Sequence, residues 1–141
     1  MIDELLKMKG KLTIELNGEV VQEVDNLVVT VGKNFVASRM TGTSPAVMSH
    51  MAVGTTNTAA ANGDTALAAE AARVALTSGI TASAVVTYIA TFPAGTGTGA
   101  LVEAGLFNAA SAGTLLARTV FSVINKGAGD SMTITWTVTV S

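Results

Sequence analysis

The chain predicts an all-β fold, and three features of its residues carry that reading. Met132 to Val140 alternate strictly, with Met132, Ile134, Trp136, Val138 and Val140 on one side and Thr133, Thr135, Thr137 and Thr139 on the other. This is the period of a strand with one buried face. Short runs of similar character recur between breaks rich in Gly, Asn, Asp and Pro, the spacing of a sandwich, jelly roll or barrel. Hydrophobic residues make up 49% of the chain but aromatic ones only 4%, so Val, Ile, Leu, Met and Ala must supply most of the core. A length of 141 residues fits one domain, which buries roughly 68–70% of the surface its unfolded form exposes. The expected architecture is a jelly-roll-like antiparallel β-sandwich of about eight strands with one short helix near residues 30–40. An N-terminal arm over residues 1–10 precedes a single β-sandwich domain over 11–141.

Taken in order, Met1 to Lys9 place Ile2, Leu5 and Leu6 at helical spacing, a short amphipathic arm that needs a surface to lie on. Lys11 to Leu16 alternate with Leu12, Ile14 and Leu16 inward, Asn17-Gly18 is the residue pair a type I′ turn prefers, and Val20 to Val24 return. After Asp25-Asn26 and the apolar Leu27 to Val29, the spacing turns helical from Thr30 to Met40. Thr30 or Asn34 would cap that helix, Phe35, Val36 and Met40 would face inward, and Gly42 would stop it. Ala46 to Gly54 reads as a buried strand, and Thr55 to Asp64 as a surface loop of small and turn-forming residues. One or two helical turns are expected between Thr65 and Ala72, then strands over Arg73–Thr77 and Val85–Phe92. Pro93 to Gly99 turns the chain into a strand from Ala100 to Asn108, and another follows over Leu115–Ile124. Asn125 to Asp130 then leads to the final strand. No fixed-length repeat is present, which disfavours a solenoid or propeller.

Charge narrows the function classes. Eight Lys and Arg against ten Asp and Glu give a net charge of −2, and the only basic cluster, Lys7, Lys9 and Lys11, reads as a solvated face, so no nucleic-acid groove is expected. The absence of cysteine removes disulfides and thiolate chemistry. The acidic start, Met1-Ile-Asp-Glu, lacks the bases of a secretory signal, and no apolar run approaches the roughly 18 residues of a membrane helix. A soluble product made inside the cell, with no membrane partner, is therefore expected. Mean hydropathy is +0.52 and only 13% of residues are charged. Such a surface is short of strongly solvated groups, which points to part of it being covered by a partner.

Candidate chemistry is sparse. His50 is the only histidine; Ser44, Ser49 and Asp64 are the residue types that would complete a nucleophilic constellation, but no Gly-x-Ser-x-Gly elbow is present, and a structural histidine in an apolar strand is the expectation. No metal ligand partners His50 at short spacing, Glu15, Glu19, Glu23 and Asp25 read as a solvated hairpin, and Asn62-Gly63-Asp64 is no calcium loop. Gly95-Thr-Gly-Thr-Gly99-Ala100 mimics a nucleotide-binding turn but leads into a strand instead of a helix. No catalytic residue, cofactor site or metal site is expected. Arg73, Glu103 and Arg118 sit in otherwise apolar strands, where a charge is costly unless paired. Pairing with one another is one expectation, and an intersubunit role is weighed equally against a sheet edge whose charges face water and deter aberrant pairing. Glu103 and Arg118, with Ile2, Leu5 and Leu6 of the arm, are the interface candidates.

Several stretches together resemble structural proteins of tailed bacteriophages: Val85 to Ala109, Leu116 to Phe121, Ile124 to Lys126 and Thr133 to Val138, with Met51 to Thr56 and Gly63 to Leu67. Similar segments occur in tail-fibre and minor structural components, and the compact whole-chain form looks most like a head cement (decoration) protein of a short-tailed phage. The resemblance implies a jelly-roll-like domain on the outer surface of the head in the virion, made in the cytoplasm of a bacterial host. It would pair with a copy of itself, as a homodimer in preference to a trimer, tie neighbouring major capsid protein subunits together, and catalyse nothing. A tail-fibre, collar or baseplate module is the alternative that the same segments imply.

Overall fold

The structure, a computed structural model, describes residues 6–42 and 45–141. Among these residues the chain forms strands β1 (Met8–Leu16), β2 (Glu19–Asp25) and β3 (Leu27–Val28), helix α1 (Thr30–Met40), then β4 (His50–Gly54), β5 (Glu70–Ala75), β6 (Ser78–Ala82), β7 (Val85–Phe92), β8 (Gly99–Phe107), β9 (Leu115–Lys126) and β10 (Met132–Val140). They make two antiparallel five-stranded sheets, ordered β2-β1-β10-β7-β6 and β3-β9-β8-β4-β5. The first strand lies beside the last, β1 on β10, and the next pair, β3 on β9, continues this wrap in the other sheet. All-β sandwich architecture is thus as expected, with more strands than the sequence shows. The added ones are β3, only two residues long, and β6, whose Ser-Gly-Ile-Thr-Ala carries no apolar alternation.

The core lies between the sheets. Leu12 and Ile14 of β1, Ile134 and Trp136 of β10, and Ala90 and Phe92 of β7 face Met51 and Val53 of β4, Ala104 and Leu106 of β8, and Ala117 of β9, all fully buried. The alternation of the last strand holds as read: Met132, Ile134, Trp136 and Val138 are buried and the intervening threonines half-exposed. Asn17-Gly18 adopts the left-handed conformation at both positions, φ 52° and 85°, as a type I′ turn requires. Asn17 also does something its sequence did not announce. Its Nδ2 donates to Asp130 Oδ1 (2.9 Å) and its Oδ1 accepts from the Ser131 amide (3.0 Å), so this hairpin is tied to the β9–β10 turn.

These hydrogen bonds to Asn17 and the Gly127 amide hold the Asp130 carboxyl below its ordinary pKa. A carboxylate whose pKa is lowered by folding stabilises the native state above its unfolded value and loses that contribution as pH falls through the native one. The stability gap between the wild type and Asp130→Ala is therefore expected to be constant above about pH 5 and to close below about pH 4. Urea unfolding across that range is the check.

Helix α1 spans the expected residues but begins differently. Val29 is its N-cap and no side chain caps it; instead the Thr30 amide donates to the Asn62 carbonyl (2.8 Å) and the Val29 amide to the Leu116 carbonyl (3.3 Å). Tertiary carbonyls thus take the role expected of Thr30 or Asn34. Gly32 is the buried helical residue, because any Cβ there would collide with the Leu116 carbonyl of β9. That close approach seats the helix on the sheet. Phe35 and Val36 pack on the core, while Met40, expected inward, is 85% exposed.

Three other expectations are corrected. The strand expected over Ala46–Gly54 starts only at His50. The N-terminal segment is already extended at Met8 and Lys9, which pair with Val140 and Thr139. So the sandwich starts within the span expected to be an arm, and Ile2 and Leu5 lie outside the described residues. Finally, Thr65 to Ala72 forms no helical turn: the Ala68 and Ala69 amides donate to the side chain of Glu103 instead of to helical carbonyls.

Candidate functional site

The charged residues singled out in the sequence are brought together, but inside the protein. Glu103 and Arg118 lie on the two central strands β8 and β9, on the face of their sheet turned away from the sandwich core, and are 0% and 1% exposed. Arg118 Nε and Nη2 donate to Glu103 Oε1 at 3.2 and 2.9 Å, Nη1 to Asp64 Oδ2 at 3.0 Å and Nη2 to the Thr58 carbonyl at 2.8 Å. Glu103 in turn accepts the amides of Thr56, Ala68 and Ala69 at 3.1, 2.9 and 2.9 Å. Residues 55–69 are therefore a strap clamped across the sheet from both ends. Under the strap Leu67 is buried with Val29, Ala52, Phe107 and Leu115 in a second small core, seated over Gly105, where a Cβ would approach Leu67 Cδ2 to 2.9 Å. Gly54 faces Glu103 in register, and a Cβ there would lie 2.5 Å from Oε2.

Placing Glu103 and Arg118 at a subunit interface or a solvated edge is thus corrected: they pair with each other, as one expectation held, in order to hold the protein's own strap. Arg73 does sit on an edge strand, β5. It is bound to Glu70 through two contacts (2.7 and 3.0 Å) and to the carbonyls of Ala109 and Ala112, with its guanidinium 3.7 Å from the Phe107 ring centroid. Of the arm candidates, Leu6 is described and is 75% exposed.

Ser44 lies outside the described residues, and the other nucleophilic residue types do not converge. Ser49 Oγ lies 2.8 Å from His50 Nδ1, but Asp64 is engaged by Arg118 and by the Ala61 amide. Among the described residues no cluster of metal-ligating side chains occurs, and no helix is long and apolar enough to cross a membrane. A depression of about 410 Å³ is lined, among the described residues, by Leu6, Lys7, Met8, Lys9 and Lys33, with no carboxylate, serine or histidine among them.

What the fold does display is a broad face. The register aligns outward side chains in rows across the first sheet: Lys11, Thr137, Thr87 and Ile80 in one, and Thr13, Thr135, Ile89 and Ser78 in the next. Thr133 and Thr91 meet in a third, their hydroxyls 3.0 Å apart. Charge is confined to one side of this face. Lys9, Lys11 and Glu15 on β1 and Glu23 and Asp25 on β2 carry it, with Lys11 and Glu23 3.6 Å apart, whereas β10, β7 and β6 contribute none. From Val74 to Val102 the chain contains no charged residue and no histidine. Threonine hydroxyls donate and accept hydrogen bonds without the desolvation cost of an ion, and their methyls pack. Such a face suits a protein surface better than a small ionic ligand.

The sequence shows the threonines but not that they lie beside a neutral edge, because β6 has no strand signature of its own. The sequence offers Asp64 as a loop acid and a partner for His50; no local pattern announces its ion pair with a residue 54 positions away. Compared with protein-family models, with curated proteins and with solved structures, the chain matches none. Fold and site define an all-β sandwich with one sheet face that is uncharged and hydroxyl-lined across β10, β7 and β6.

Proposed function

We propose that this is a structural virion protein: a cement or decoration protein on the outer surface of a bacteriophage head, which bridges major capsid protein subunits, associates with a copy of itself and catalyses no reaction. The observation that carries the reading is the neutral threonine face of β10, β7 and β6; the likeness of its segments to phage structural proteins supplies the shell as the surface it meets. Apolar area buried there contributes roughly 25 cal/mol per Å², and a patch of standard size covers about 800 Å² on each partner. Because the protein would bind the assembled lattice and not its separated subunits, binding stabilises the lattice by linkage. Many modest contacts then add up across the shell.

Thr135→Lys, together with Thr87→Lys, places charge in the middle of the face at half-exposed positions. These substitutions are expected to leave folding intact and abolish binding to heads lacking the protein, measured by co-sedimentation. Undiminished binding by the double variant sinks this surface. Particles without the protein that withstand heat as well as complete ones sink the cementing role. The tail reading places the same face against a fibre, collar or baseplate partner, and copy number separates the two: it scales with the major capsid protein for a head component and is a handful per particle for a tail component.

A further inference from the structure

Strand β6 ends its sheet, so among the described residues one side of its backbone has no strand beyond it. Exposed edges invite pairing, and folded proteins usually blunt them with charge, short length or covering segments. Three of the four edges here are blunted in that way. β2 bears Glu19, Glu23 and Asp25, β3 has only two residues, and β5 carries the Glu70–Arg73 ion pair. Among the described residues β6 has no such protection. Its five residues, Ser78 to Ala82, include no charge and no proline, all but the first are exposed, and Ile80 is 63% exposed. The surface around it is equally neutral, with Val47, Val86 and Tyr88 lining a shallow depression beside Gly79 and Thr81.

We infer that β6 is a dimerisation edge, pairing antiparallel with β6 of a second copy about a two-fold axis at Ile80. The composition points to a second copy as the occupant. In this register Ile80 meets Ile80, Gly79 meets Thr81 and Ser78 meets Ala82, so each position faces a small or apolar neighbour and no charge is buried or opposed. A charged strand from another protein would find no counter-ion between Val74 and Val102. Two-fold pairing also consumes both open edges, and with the other edges blunted the assembly closes at two copies instead of growing into a fibre. The dimer joins two first sheets into one, so the uncharged face doubles in width across the axis. This deepens the proposed function by assigning a surface to self-association, and it is tested without any shell, so its failure leaves shell binding to be judged separately.

The experiment is sedimentation velocity of the full chain as a function of concentration, with Ile80→Lys and Ile80→Thr. The wild type and Ile80→Thr are expected to sediment as dimers. Ile80→Lys, which sets two lysines against each other, is expected to lose the dimer with its circular dichroism unchanged. Hydrogen exchange of the wild type provides a readout independent of any variant: the Ser78–Ala82 amides are expected to lose protection on dilution through the dimer dissociation. A wild type that stays monomeric overturns the inference. So does a folded Ile80→Lys dimer of unchanged affinity, or β6 exchange independent of concentration.

Discussion

Replacing Glu103 with leucine is expected to lower the free energy of unfolding by about 3–5 kcal/mol, the cost of stranding one member of a buried ion pair. That is a large share of the roughly 5–15 kcal/mol by which a domain is stable. The informative comparison is the double variant Glu103→Leu with Arg118→Met. Buried ion pairs can often be exchanged for apolar residues with little loss, because the desolvation of both charges is relieved at once. This pair differs in what else it holds. Glu103 accepts three strap amides and Arg118 donates to the Thr58 carbonyl and to Asp64, and no leucine or methionine can replace those bonds. Each buried backbone group left unpaired costs about 1–3 kcal/mol. The double variant is therefore expected to remain at least about 2 kcal/mol less stable than the wild type, with residues 55–69 newly open to limited proteolysis while the core between the sheets stays intact. Urea unfolding and mapping of the first cleavage sites measure both. A double variant of wild-type stability with a protected strap would refute this account of the clamp.

The clamp also marks where the sequence stops being legible. Elements whose shape follows from local chemistry were readable: the Asn17-Gly18 turn, the helix over Thr30–Met40 with Gly42 behind it, and the alternation of Met132 to Val138 all stand where their residues place them. Elements decided by distant partners were not. Thr65 to Ala72 has the composition of a helical turn, yet its amides are captured by a carboxylate on β8. That tertiary bond outweighs the weak propensity of a few alanines. The charges of Glu103 and Arg118 announced that they needed partners, but whether those partners lay in the same chain depended on which strands the sheet placed side by side. β6 was missed for the opposite reason. An exposed edge strand buries little, so the apolar periodicity by which strands are recognised is absent from it.

Trp136 gives the second large effect, and its two substitutions are expected to differ. The residue is the only tryptophan, fully buried in the middle of β10 between Leu12 of β1 and Tyr88 of β7. Trp136→Ala leaves a cavity between the sheets and is expected to cost about 3–5 kcal/mol. Trp136→Phe is expected to cost less than half as much. It also removes volume, but the indole Nε1 is buried with no protein acceptor among the described residues. Deleting a donor in that position recovers part of its desolvation penalty, about 1–3 kcal/mol, which offsets much of the lost packing. Leu12 and Tyr88 flank the ring, so a smaller aromatic group still meets apolar neighbours on both sides. Chemical denaturation followed by circular dichroism compares the three proteins, with fluorescence of the wild type confirming a buried, blue-shifted indole. If phenylalanine proved as damaging as alanine, the energetics at this site would be set by shape alone and the unpaired donor would carry no measurable cost.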